Sequence, residues 1–159
     1  MQPDLPPEDS TELTHFIVTR YHQIHRTQLP EIVALAHKVE RVHADHPDAP
    51  LGLGDLLQEL IGTLEVHMMK EELILFPAIR NGGGPGIENP IAVMRADHDD
   101  HDSEVTRIRA LTRDLTLPQG ACRSWTALYG GLATFLADLD AHIRLENDVL
   151  FPRFEPAAQ

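Results

Sequence analysis

At 159 residues, 42% of them hydrophobic, the chain is long enough to bury a sizeable core and short enough to be one domain. A net charge of −12 argues against a nucleic-acid partner, and the single cysteine, Cys122, excludes internal disulfides, iron–sulfur ligation and Cys-based zinc sites. The opening MQPDLPPEDSTEL has neither a basic region nor an apolar run, and no stretch nears the roughly 20 apolar residues of a membrane span, so a soluble cytoplasmic protein is expected.

Residues 1–9 read as a Pro-rich tail, and residues 10–155 as one helical unit. Loops at HPDAPLGLG (46–54), NGGGPGIENP (81–90) and TLPQGA (116–121) separate four segments with helical periodicity. The first carries Val18, His22, His25, Leu29, Ile32, Ala36 and Val39 at steps of three and four; Pro30 within it predicts a kink. The second carries Leu57, Leu60, Leu64, His67, Glu71 and Leu75. The third carries Ile91, Met94, His98, His101, Val105 and Ile108. The fourth carries Leu128, Leu132, Phe135, Leu139, His142, Glu146 and Val149. Four such stripes with short loops predict an all-α, up-down-up-down four-helix bundle.

Two stretches repeat one another: HMMKEELILFP (67–77) and HIRLENDVLFP (142–152). Each has a glutamate four residues after its histidine and ends in Phe-Pro. Each has an upstream histidine as well, His22 lying 45 residues before His67 and His98 lying 44 before His142. In an antiparallel bundle these residues fall at similar depths, roughly 12 to 17 Å from one end at 1.5 Å per residue. Four imidazoles and two carboxylates would then share one buried layer, at a cost of several kcal/mol each unless cations compensate.

Four nitrogen donors and two carboxylates are too many for one tetrahedral zinc. They suit two six-coordinate ions with Glu71 and Glu146 bridging, iron being the first choice and manganese the alternative. Of about 12 coordination places, four histidines, two bridging glutamates and a bridging oxo or hydroxo group leave about two for small ligands. His25 and His101 face inward three residues after His22 and His98, as hydrogen-bonding or packing residues. His15 is expected at the surface, and His37, His43 and His46 lie too far along the first helix to ligate. Asp97, Asp99, Asp100 and Asp102 read as a solvated face, and Trp125 and Tyr129 as core. Cys122 reads as a small residue near a helix start, and the two Phe-Pro pairs as helix ends that plug the bundle.

The stretches RYHQIHRTQLPEIVALAHKVERVHADHPDAP, EVHMMKEELILFPAI, PIAVMRADHDDH, ACRSWTALYGGL and DLDAHIRLENDVLFPRF resemble the hemerythrin-like domain of the di-iron iron–sulfur-cluster repair proteins, the repair-of-iron-centres family. The resemblance spans most of residues 18–154. It implies a di-iron centre held by His22, His67, Glu71, His98, His142 and Glu146, both glutamates bridging. It implies recovery of iron–sulfur proteins after nitrosative or oxidative stress, by donating iron or by binding nitric oxide. Full-length relatives look to carry a small N-terminal domain with a cysteine pair, which has no counterpart in this sequence. His101 stands where many relatives have a small residue. It points to the alternative of a hemerythrin-type protein that binds or senses dioxygen or nitric oxide.

Overall fold

The four stripes become four helical rods in a computed structural model, which describes residues 5–156. The first rod is α1 (Ser10–Ile17), a wide π turn (Val18–His22) and α2 (Gln23–Val42). The Asp9 carboxylate caps it, accepting the Glu12 N–H at 3.0 Å. The second rod is α3 (Leu53–Lys70), a π turn (Glu71–Leu75) and α4 (Phe76–Arg80). α5 (Glu88–Leu111) is the third, and α6 (Arg123–Arg144) opens the fourth, which ends in a π turn (Leu145–Leu150) and a 3-10 turn (Phe151–Phe154). α2 packs on α3 and α6, and α5 packs on α3, completing the bundle expected from the periodicity. Residues 5–9 of the expected tail precede α1, whereas 1–4 lie outside the described residues. Among the described residues there is no strand, and no helix is long and apolar enough to cross a membrane.

Helical assignment is unbroken through Pro30. Besides the closing 3-10 turn, the described rods depart from α geometry at the three π turns, and each of these contains a residue of the predicted layer. In both repeats the Phe of Phe-Pro closes the wide turn: Phe76 N–H donates to Glu71 O, and Phe151 N–H to Glu146 O, five residues back. The proline that follows has no N–H for the next carbonyl in that pattern, Glu72 or Asn147. At Asn147 the guanidinium of Arg95 donates to that carbonyl at 3.0 Å. Phe-Pro therefore marks a register shift rather than the helix end expected from sequence, and helical turns continue to Arg80 and Phe154.

The shift corrects one stripe position. Leu75 and Leu150, each four residues after its glutamate, are buried, whereas Val149 is 39% exposed. In α5 the inward place expected for Val105 is taken by Glu104, and Val105 packs at the core's margin.

Two apolar clusters result. One, around Leu57, Leu60, Leu132 and Phe135, fills the end nearer the α2–α3 loop. The other gathers Leu13, Ile17, Phe76, Ile91, Leu150 and Phe151 at the opposite end. The buried polar residues His22, His25, His67, Glu71, His98, His101, Glu104, His142 and Glu146 come from the helix segments between those two sets, so the polar layer has an apolar cluster on either side.

Candidate metal centre

All six residues singled out by the repeats meet in that layer, none more than 1% exposed. Their donor atoms form two groups compact enough to hold an ion each. One is His22, Glu71, His142 and Glu146; the other is His67, Glu71, His98 and Glu146. Both glutamates belong to both groups. Each group also takes one histidine from each half of the sequence, so neither repeat could build a group alone.

The imidazoles all face the same way. His22 Nε2 is 3.0 Å from Glu71 Oε1, and His142 Nε2 is 2.9 Å from Glu146 Oε2. His98 Nε2 lies 2.8 Å from Glu146 Oε1, and His67 Nε2 lies 3.5 Å from Glu71 Oε2. The outer nitrogens have their own partners. His22 Nδ1 donates to Glu72 Oε2 at 2.7 Å, His67 Nδ1 to Asp97 Oδ2 at 3.1 Å, and His98 Nδ1 to Asn147 Oδ1 at 2.7 Å. His142 Nδ1 pairs with His25 Nε2 at 3.1 Å. Protonating Nδ1 in this way leaves Nε2 as a bare lone pair directed at a carboxylate, the tautomer a metal-binding histidine needs.

Lone pairs facing lone pairs at these distances repel unless a cation sits between them. In the second group His67 Nε2, Glu71 Oε2, His98 Nε2 and Glu146 Oε1 are all buried without a hydrogen-bond partner. Four orphaned acceptors in a buried layer fit a bound ion or, without one, protons on the imidazoles.

The electrostatics agree. Burial alone would push the His22 imidazole down, but hydrogen bonds to Glu71 and Glu72 with nearby carboxylate charge hold it up at about 9. Burial is likewise outweighed at His67, where Glu71 charge and hydrogen bonding raise it to about 9. His98 is raised by Glu146 against its burial. Glu71 is held well below the usual carboxylate range despite full burial, because His67, His142 and His22 face it. Without metal the pocket would draw protons onto its imidazoles. His25 goes the other way, down to about 2, through burial and then the positive fields of His142 and His22, so it is neutral.

The rings are packed as well as hydrogen-bonded. Phe76 stacks on His22 and Phe151 on His98, each with centroids 5.8 Å apart, and Tyr21 stacks on His142 at 5.4 Å. The Phe of each repeat thus clamps the upstream histidine of its own half.

Several residues sit where the sequence placed them. His15 is exposed, His37 and His43 stay outside the cluster, and Trp125 and Tyr129 are buried edge to face. His46 packs on Trp125, and Cys122 caps α6 and contacts His43 Nε2 at 3.1 Å. Asp97 is not simply part of a solvated face, since it holds His67. Glu72, Asn147 and Glu104 were missed. For the first two a signal existed: each follows the glutamate of its repeat, and each holds the upstream histidine of its own half. Replacing Asn147 with leucine removes the acceptor for His98 Nδ1 and is expected to weaken metal binding about 10- to 100-fold, measurable by competition with a chromophoric chelator.

Two overlapping four-donor groups inside a helical bundle define a protein with a buried His/Glu cluster that could hold metal cations. Residues 14–154 match the family described as Hemerythrin HHE cation binding domain. The chain is 48% identical over 150 residues to the iron-sulfur cluster repair protein YtfE of Yersinia pseudotuberculosis serotype O:1b (strain IP 31758), covering 94% of this chain and 68% of that one. It is 47% identical over the same length to the protein of that name from Yersinia pestis (strain Pestoides F), with the same coverage. The chain belongs to the hemerythrin HHE cation-binding family, within the branch of these repair proteins.

Proposed function

We propose that this protein is a dinuclear non-haem iron protein of the cytoplasm that helps to restore iron–sulfur clusters damaged by nitrosative or oxidative stress. One iron would be held by His22 and His142 and the other by His67 and His98, with Glu71 and Glu146 available to both. The observation that carries this is the sharing of both glutamates by two four-donor groups. A donor set of nitrogen and carboxylate oxygen without thiolate suits iron, with manganese as the competitor. Residues 10–155 act as one unit, because each ion needs histidines from both halves.

When bound, the iron pair would supply reversible one-electron chemistry and open positions for nitric oxide or dioxygen. The protein's part is to hold and to isolate. Glu72, Asp97, Asn147 and His25 fix the four imidazoles with Nε2 inward. Phe76, Phe151 and Tyr21 cover the rings and keep bulk water from the carboxylates. The relatives' name supports damaged iron–sulfur proteins as the clients. Elemental analysis of protein purified from its native host should return two irons per chain, and the loaded protein should reactivate a cluster-containing dehydratase inactivated by nitric oxide. Metal-loaded protein that neither binds nitric oxide nor speeds that recovery would refute the assignment.

A reversible dioxygen or nitric oxide carrier is the second reading, favoured by one observation, the further buried imidazole of His101 beside the cluster. It requires that reduced protein gain a visible absorption band in air and lose it again under argon.

A further inference from the structure

The two halves are not equivalent around their outer histidines. His25 and His101 each lie three residues after the first histidine of their half, and both are buried. His25 spends its Nε2 on His142 Nδ1. The matching position on His67 is already taken by Asp97, so His101 is turned to another partner. Its Nδ1 lies 2.9 Å from Glu104 Oε1, and Glu104, only 6% exposed, has Thr63 Oγ1 at 3.1 Å from Oε2. A carboxylate only accepts, so His101 Nδ1 carries the proton and Nε2 keeps its lone pair. That Nε2 is buried with no partner, and the ring stands edge-on to His67 at 5.2 Å. His101, Glu104 and Thr63 line a cavity of about 670 Å³ that Asp97 also borders. His101 is thus prepared as the four clustered imidazoles are, yet it falls outside both four-donor groups.

Resting on the two-cation assignment above, we propose that His101 selects the small exogenous ligand at this centre: Nε2 accepts a hydrogen bond, favouring water and other O–H ligands over pure acceptors such as azide. Water beside the cations gains a hydrogen bond that azide cannot make. Removing the acceptor therefore weakens water alone and lets azide compete better.

The test uses the full chain loaded with iron, the metal content of each variant, and azide titration followed in the visible spectrum. In His101→Ala the iron content should match the unsubstituted protein and azide should bind about tenfold tighter, the scale of one hydrogen bond. Glu104→Gln is the second variant and keeps the packing. Thr63 Oγ1 can donate to the amide oxygen or to the Leu60 carbonyl 3.2 Å away; where the amide N–H₂ faces His101 Nδ1, that nitrogen must accept. The proton moves to Nε2, which becomes a donor to azide, and affinity should again rise. Azide affinity unchanged or lowered in both variants, or iron lost from His101→Ala while Glu104→Gln binds azide as before, would overturn the proposal. Absence of iron from the unsubstituted protein would instead refute the two-cation assignment itself.

Discussion

Replacing Glu146 with alanine is expected to empty both cation positions, whereas replacing His67 with alanine should empty mainly one. Glu146 offers Oε1 toward His98 and Oε2 toward His142, so a single side chain serves both groups. His67 belongs to one group only. A cation that binds the native state alone, at about a thousand times its dissociation constant, stabilises by about 4 kcal/mol. For a domain of this size that is on the order of 10 °C in melting temperature. Glu146→Ala should therefore lose metal altogether and melt about 10 °C lower or more, and added iron should not restore it. His67→Ala should keep about one iron per chain and an intermediate melting temperature. Elemental analysis with calorimetry separates the two; equal metal loss in both variants would argue against shared glutamates.

The prediction depends on a feature the sequence displays openly. Periodicity gave the bundle because the stripes are long and their interruptions are loops rich in Gly and Pro. The repeat gave all six clustered donors because duplication keeps residue type and spacing together. What stayed hidden was set by backbone geometry. The π turns shift register by one residue, so Leu150 rather than Val149 points inward; helical periodicity alone does not separate those neighbours, although the repeat pairs Leu150 with Leu75. The first π turn, closed by Gln23 N–H on Val18 O, has no Phe-Pro to announce it. Asp97 lies beside acidic neighbours that face solvent, and only the approach of α3 to α5 turns it into a partner for His67. Glu104 shows the same limit. A glutamate one place off the apolar stripe reads as surface until His101 and Thr63 are seen beside it.

Stripped of metal by a chelator, the protein is expected to lose stability as pH rises from about 6.5 to about 9. His22 and His67 are held at about 9 in the fold, against about 6.5 unfolded. A raised imidazole contributes stability that is complete below its unfolded value and is lost as pH climbs through the folded one. Two groups act in the opposite direction. His25, lowered to about 2, contributes above about 6.5 and loses that contribution as pH falls below it. Glu71, held below the carboxylate range, also contributes above its unfolded value and loses this as the solution turns acid. The chelated protein should thus be most stable near pH 6.5, with a melting temperature several degrees lower at pH 9. The loaded protein should behave differently, because cations need the Nε2 lone pairs that protons would otherwise hold. Metal binding then releases protons, and apparent affinity rises across the same window. The gap between loaded and chelated melting temperatures should consequently widen from pH 6.5 to 9. Calorimetry at three pH values with and without chelator measures it directly, and parallel curves would mean that protons and metal do not compete for these imidazoles.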